Sequence, residues 1–209
     1  MAGHLPLRQA RRPVLRHWKL LPACALCVLG MAGLLSGRTL EPDAGVLVTD
    51  APRQAPTAAA PFRILDYELT PRAAYDIEAR VLGIERYRDE SAPLSPLDLA
   101  VGWGPMSDSA VLETFRVHQA ARFFTLYPTE RSIDMRVALV NAANMHLIPA
   151  SSTVAGRLRK VRRGQVVRLR GLLVDVSGPR GFRWKTSLTR DDVGAGACEL
   201  FYVEEVAWR

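Results

Sequence analysis

Two stretches of alternating apolar and polar residues, each interrupted by a glycine, restrict the fold more than any other feature. Residues 75–81 alternate strictly, and the apolar residues then move to even positions around Gly83. Residues 167–170 alternate before Gly171, and from Leu172 onward the apolar positions again change parity. Strict alternation predicts half-buried strands, and a change of phase within a strand predicts a bulge or bend. A small closed barrel requires such strands at its corners.

Other elements are predicted around these two strands. Further strands are expected at 117–127, 144–148, 182–188 and 198–208. The strand at 182–188 follows a Ser-Gly-Pro-Arg-Gly turn signal, which predicts a hairpin with the strand before it.

One helix is predicted between the strands. Ser151 or Ser152 is a suitable N-cap and Gly164 a suitable terminator. The apolar residues that recur at helical spacing between them are Val154, Leu158 and Val161. The segment 89–115 is expected to be a long insertion, and the apolar segment 133–140 is compatible with a helix or a strand.

The predicted order of three strands, one helix and further strands, with bulges in the first and fourth strands, resembles the oligonucleotide/oligosaccharide-binding fold (OB-fold). The resemblance covers roughly residues 75 to 208. It implies a mainly β protein of the α+β class, with an OB-like bulged β-barrel. We expect a single N-terminal transmembrane helix to precede that barrel.

The transmembrane helix is predicted at residues 20–37, which are uncharged and mostly apolar. As a helix this segment is about 27 Å long, close to the roughly 30 Å hydrocarbon core of a bilayer. The residues before it include five bases and no acid, which predicts that they remain in the cytoplasm. The expected organisation is a basic leader (1–19), a transmembrane helix (20–37), a Pro/Ala-rich tether (38–61) and an exported domain (62–209).

A cleaved secretory signal is the alternative for this N-terminal region. Its cleavage site is poor, because a cut after Ser36 or Gly37 places Leu34 or Leu35 where a small residue is needed. We therefore expect an uncut anchor in the inner membrane, with the C-terminal domain on the periplasmic or extracytoplasmic side.

The positive charge is concentrated in two regions. The formal charge of the chain is +7, but residues 1–38 hold six bases and no acids, so the remainder carries only +1. The high isoelectric point therefore does not predict nucleic-acid binding. The second basic region, 157–190, holds eleven bases against Asp175 alone.

Three sequence blocks support the membrane assignment. The blocks SPLDLAVGWGPMSD, NMHLIPA and SLTR begin at residues 95, 144 and 187. They resemble blocks of uncharacterised bacterial single-pass membrane-anchored proteins. The resemblance implies a bacterial inner-membrane protein and no particular activity.

Residues in loops and on strand faces are candidates for ligand binding. Trp103 stands between two glycines, so its indole is available for stacking, or it covers one end of the barrel. Asn144 and His146 lie on one face of a predicted strand. A hydrolase using His146 or Asp108 is an alternative function, although there is no G-x-S-x-G motif and Asp108 is also a suitable helix cap.

The basic region adds a second set of candidates. Its exposed strand positions are predicted to bind an anionic glycan, lipid or protein, or to pair with acids across the sheet. These positions are Arg168, Arg170, Arg183, Trp184 and Lys185. We expect a non-catalytic binding or scaffolding module for envelope components, without cofactor, metal site or catalytic residues.

Overall fold

The computed structural model describes residues 39–190, 192, 194 and 196–209, which form a mainly β structure of the α+β class. The strands are β1 (Arg53–Ala55), β2 (Phe62–Ile64), β3 (Tyr67–Arg86), β4 (Leu97–Gly102), β5 (Phe115–Ala120), β6 (Phe123–Pro128), β7 (Ala142–Pro149), β8 (Val166–Ser177), β9 (Arg183–Trp184) and β10 (Glu199–Trp208). The helices are α1 (Ser109–Leu112), α2 (Met135–Val140) and α3 (Ser152–Leu158), and 3₁₀ turns occur at Gly104–Ser107 and Pro179–Gly181.

The transmembrane prediction falls outside these residues. The segment 20–37 and the leader before it lie in the part of the chain that the structure does not describe. Within the part that it does describe, every helix is too short to traverse a bilayer.

Five strands are joined in a continuous ring of pairings. β3 pairs antiparallel with β4, β4 antiparallel with β7, and β7 parallel with β10. β10 then pairs antiparallel with β8, and β8 antiparallel with β3, so the pairings return to their start. β1 and β2 add to β3, β9 adds to β8, and β5 and β6 form a separate hairpin.

The sheet has apolar residues on both faces, which divide the core into three clusters. One face of the five ring strands forms the central core, which includes Leu99, Met145 and Phe201. The opposite face contributes to two outer clusters. The first lies under the β5–β6 hairpin and α2, and the second lies between β2, β8, β9 and β10.

The predicted bulge in β3 is confirmed. Val81 pairs with Val101 and Gly83 pairs with Ala100, which leaves Leu82 as an extra residue in β3. Val81 lies in the central core, whereas Leu82 lies in the cluster under the hairpin. The change of phase in the sequence therefore marks a real change of facing.

The predicted change of facing in β8 is wrong. Leu169 and Leu173, on either side of Gly171, both lie in the central core. The parity changes in the sequence because the opposite face of β8 becomes buried beyond Gly171, where Val174 belongs to an outer cluster. The bulge at this level lies in β10 instead, where Glu204 is the extra residue opposite Gly171 and Arg170.

Gly171 is nevertheless required by the backbone. It has a φ of +156°, and a Cβ at this position would overlap the carbonyl oxygen of Tyr202. We expect Gly171→Ala to lower the free energy of unfolding by about 2–3 kcal/mol, through backbone strain and displacement of β10. Gly156→Ala is the control, because a Cβ there meets only Arg159 Nη2 at 3.6 Å. Equal unfolding midpoints for the two variants in urea would contradict the expectation.

Several predicted boundaries need correction. The strand predicted at 117–127 is the β5–β6 hairpin, which turns at Ala121 and Arg122 with positive φ at both residues. The predicted insertion 89–115 contains β4, a central strand of the ring. The hairpin of β8 with the following strand is confirmed, but β9 spans only two residues.

The helix boundaries follow the capping signals in part. Ser151, one of the two predicted caps, is the N-cap of α3. Its hydroxyl oxygen accepts a hydrogen bond from Val154 N. The helix ends at Leu158 and not at Gly164, although Val161 is still buried in the central core. The segment 133–140, whose sequence is compatible with a helix or a strand, contains the helix α2 (Met135–Val140).

The segment predicted as a tether is partly built into the folded unit. β1 pairs with β3, Val48 is buried in the central core, and Leu40 N donates to Arg163 O over 2.9 Å. The lack of large apolar side chains in this segment suggested a tether. Backbone pairing with β3 and the burial of Val48 are nevertheless enough to hold it on the folded unit. The folded unit therefore begins well before residue 62.

Candidate functional site

A largely buried group of ionisable side chains, here called the Asp98 cluster (Asp98, Arg122 and His146), lies on the outer face of β4 and β7. The register places Asp98 opposite His146. Asp98 is fully buried, and its Oδ2 is 2.9 Å from His146 Nδ1. Its Oδ1 accepts from Arg122 Nη1 over 3.1 Å. Asp98 thus has a partner at each carboxylate oxygen, as a buried charge requires.

Arg122 reaches this cluster from the turn of the β5–β6 hairpin. Its Nε and Nη2 donate to the carboxylate of Asp89 over 3.1 and 2.8 Å, and its Nη1 also donates to Ser95 O over 2.9 Å. The guanidinium carbon lies 3.7 Å from the centroid of the Tyr87 ring. One side chain therefore connects the hairpin, the β3–β4 loop and the outer face of β4.

Asn144 continues the polar group along β7. Its Oδ1 accepts from Gln119 Nε2 over 2.7 Å, and its Nδ2 donates to Arg122 O over 3.1 Å. Cys198 Sγ lies 3.7 Å from the same Nδ2, and burial raises the pKa of its thiol to about 11. At neutral pH this thiol is protonated, so it is a poor nucleophile.

His146 is enclosed by the Asp98 cluster and an aromatic neighbour. It is 3% exposed, and its ring lies 4.6 Å from that of Trp184, centroid to centroid. Asp108, the other hydrolase candidate, is the N-cap of α1. Its carboxylate accepts hydrogen bonds from Gly45 N and Ala110 N, which lower its pKa. In the described part of the chain, no hydrogen bond joins Asp108 to His146.

A pocket of about 320 Å³, here called the Glu199 pocket, lies next to the Asp98 cluster. Its lining residues include the buried or half-buried groups Trp103, Asn144, Arg190, Cys198 and Glu199. Its apolar wall is formed by Phe123, Phe124, Leu139, Ala142 and Ala143. Phe123 is 47% exposed, which places an aromatic ring at the surface of the pocket.

Glu199 is the most unusual titratable group of the pocket. It is 5% exposed, and burial raises the pKa of its carboxyl group from 4.5 to about 8. Its Oε2 has no hydrogen-bond partner, and no ion pair reaches it from the described residues. A buried carboxyl group without a counterion remains protonated at neutral pH.

Two further polar groups near Glu199 are incompletely paired. Arg190 Nη2 donates to Pro52 O over 2.8 Å, but its buried Nε has no partner. Tyr75 Oη is also buried and without a partner, and burial and the charge of Glu199 raise the pKa of this phenol. Arg190 and Glu199 line the same pocket, and both influence the ionisation of Tyr75.

Trp103 does not stack in an open loop. It is 2% exposed and belongs to the central core, so its indole is part of the protein interior. The guanidinium carbon of Arg190 lies 5.8 Å from its ring centroid, which is within cation–π range.

The predicted basic candidates Arg168, Arg170, Arg183 and Lys185 do not line this pocket. Arg168 and Arg170 are exposed and pair with Asp76, over 2.9 and 3.2 Å. Arg170 also lies 3.5 Å from Glu205, so cross-strand pairing occurs as the alternative interpretation expected. Arg183 and Lys185 are exposed, with no ion-pair partner in the described part of the chain.

Sequence analysis identified Trp103, Asn144 and His146 but missed the residues that give this region its chemistry. Glu199, Arg190 and Asp98 were not predicted as site residues, and Arg122 falls within a segment predicted as one strand. The available signal was weak: Asp98 interrupts an apolar run in a block already singled out. Only the three-dimensional pairing shows that its partner is Arg122.

The described residues contain no group of three or more His, Cys, Asp or Glu side chains arranged to hold a metal ion. Comparisons of the chain with protein-family models, with curated proteins and with solved structures found no match.

Proposed function

We propose that this chain is a membrane-anchored, non-catalytic binding or scaffolding module with an OB-like barrel. The ring order β3–β4–β7–β10–β8, with β7 parallel to β10 and α3 between β7 and β8, carries the proposal. An OB-fold is a five-stranded barrel that binds ligands on its second and third strands and the neighbouring loops. These correspond here to β4, β7 and the loops at 87–96 and 178–198.

The binding site of this module is the Glu199 pocket. In the proposed barrel, the central part of the ligand face is occupied by the Asp98 cluster and covered by the β5–β6 hairpin. The pocket lies beside this covered area and combines aromatic and aliphatic walls with incompletely paired polar atoms. Small-molecule sites have this composition, with a mostly apolar wall and a few orienting polar groups.

The anchor places this site on the exported side of the bacterial inner membrane. The basic leader and the apolar segment 20–37 support a helix with its N-terminus in the cytoplasm. A reporter enzyme fused after Arg209, active only outside the cytoplasm, tests this orientation. Activity of a cytoplasm-dependent reporter at the same position would contradict it.

The binding function is tested by blocking the pocket. Thr125 is exposed and lines the Glu199 pocket, so Thr125→Trp is expected to fill its opening and reduce binding at least tenfold. Thr129→Trp is the control, because Thr129 is also exposed and follows the same strand but does not line the pocket. Binding is measured by thermal stabilisation of the full chain against small molecules of acidic, neutral and basic classes, with mass spectrometry to detect turnover.

Stabilisation by a ligand that is lost in Thr125→Trp, kept in Thr129→Trp and unaccompanied by conversion is the expected result. Conversion of the ligand would contradict the non-catalytic assignment. Equal responses of both tryptophan variants to every compound would show that the pocket is not the binding site.

A further inference from the structure

Two buried polar atoms without a hydrogen-bond partner, Glu199 Oε2 and Arg190 Nε, belong to side chains that line the Glu199 pocket. Buried polar atoms normally have a partner, and an unpaired one costs about 1–3 kcal/mol. Glu199 and Arg190 both line the pocket, so a bound molecule can supply their missing partners. The free-energy cost of leaving these atoms unpaired is then recovered when the ligand binds.

The hydrogen-bonding character of these groups selects the ligand. Arg190 Nε–H is a donor only and carries positive charge. A protonated Glu199, which is held neutral by burial, supplies an O–H donor. A buried carboxylic acid that is kept neutral at pH 7 can donate a hydrogen bond to an anionic oxygen. The donors therefore match a carboxylate.

The other walls describe the remainder of the ligand. Phe123, Phe124 and Leu139 line the pocket and offer no hydrogen bonds from their side chains. A volume of about 320 Å³ is sufficient for a small molecule with one ring or a short chain. The carboxylate would face Arg190 and Glu199, while the apolar group contacts the phenylalanines.

We propose that the Glu199 pocket binds a small organic carboxylate that carries an apolar group, with Arg190 and Glu199 as the recognition residues. This inference rests on the proposed binding function and adds the chemical class of its ligand.

The proposal predicts a characteristic pH dependence. Above pH 8, Glu199 ionises and exchanges its O–H donor for a negative charge that repels a carboxylate. The titratable or charged groups that face it are Tyr75 on β3, Arg190 and Asp192 before β10, and the adjacent Cys198. Tyr75 and Cys198 titrate well above Glu199, so Glu199 is expected to control binding between pH 6 and pH 9.

The test uses phenylacetate and hexanoate as probes, and phenylacetamide as the neutral counterpart of the first. Binding to the purified full chain is measured by calorimetry at pH 6 and pH 9. We expect the wild-type chain to bind both acids about tenfold more weakly at pH 9, since one pH unit above a pKa leaves about a tenth of the group protonated. Phenylacetamide is expected to bind without this pH dependence.

Two variants identify the residues responsible. Glu199→Gln keeps a donor that does not ionise, so it is expected to bind the acids equally at pH 6 and pH 9. Arg190→Gln is expected to weaken binding at least tenfold, whereas the control Arg63→Gln, at an exposed position outside the pocket lining, is expected to leave binding unchanged.

Absence of binding by both acids at millimolar concentration would overturn the proposal, as would wild-type affinity that is equal at the two pH values. If the acids fail while other compounds bind in a manner sensitive to Thr125→Trp, the binding function is retained and the carboxylate assignment is rejected. If no compound of any class responds to Thr125→Trp, both are rejected.

Discussion

Replacing Arg122 by methionine is expected to lower the free energy of unfolding by about 3–5 kcal/mol, because it removes the guanidinium partner of the buried Asp98 and leaves His146 alone beside that carboxylate. Asp98 is fully buried, and Arg122 supplies its partner at Oδ1. Methionine preserves much of the apolar stem against Tyr87. The loss is therefore mainly electrostatic. It does not depend on the ion pair with the more exposed Asp89, which contributes little.

The measurement is urea unfolding of the purified full chain, followed by tryptophan fluorescence. Arg183→Met is the matched control, because Arg183 is exposed and is expected to change stability by less than about 0.5 kcal/mol. Arg122→Lys is expected to give an intermediate loss, since lysine keeps the charge but not the fork that contacts Asp89, Ser95 and Asp98 together. A loss below 1 kcal/mol in Arg122→Met would contradict the role given to this side chain.

The two glycine-centred strands show how far alternation predicts a fold. In β3 the change of parity at Leu82 reflects an extra residue, so the inference of a bulge was correct. In β8 the same pattern arises because apolar residues cover the second face beyond Gly171. Parity alone cannot distinguish a strand that turns over from a strand that becomes buried on both faces.

The missed strand β4 has a related cause. All six of its residues are buried, so its sequence does not alternate between apolar and polar positions. Strands buried on both faces resemble short apolar runs, and they lack a periodic signal. The Asp98 cluster could therefore not be predicted from the sequence. Asp98 falls in a segment predicted as an insertion, and the strand that pairs with the one carrying His146 was not identified.

The candidate pocket could be predicted only in part. Trp103 and Asn144 were identified from local patterns, and both line the Glu199 pocket. Glu199 is the first residue of β10, and nothing in its sequence neighbourhood distinguishes it from the exposed Glu204 and Glu205. Its burial results from the parallel pairing with β7, where Glu199 is opposite Met145 of the central core.

This burial has a measurable consequence for stability. In the unfolded chain Glu199 ionises near pH 4.5, whereas in the folded protein it retains its proton to about pH 8. Between these values the folded state holds more protons than the unfolded state, so stability decreases as the pH rises. The cost of the glutamate is absent below pH 4.5 and nearly complete at pH 8.

Glu199→Gln is expected to remove this cost, because glutamine has a similar shape and does not ionise. The variant should match the wild-type chain near pH 4.5 and exceed its free energy of unfolding at pH 8 by about 4 kcal/mol. Urea unfolding of both chains at several pH values measures the difference, and the other titrating groups cancel in the comparison.

A constant difference across this pH range would show that the carboxyl group is not held protonated by the fold. A difference that increases with pH would establish that the protein retains a destabilising acid at a buried position. Glutamine or leucine would serve the fold better at that position, so the ionisable group has to be explained by something other than stability. Strained and poorly paired groups that persist at a cost are characteristic of functional sites. The pH profile of this variant therefore tests the site without knowledge of its ligand.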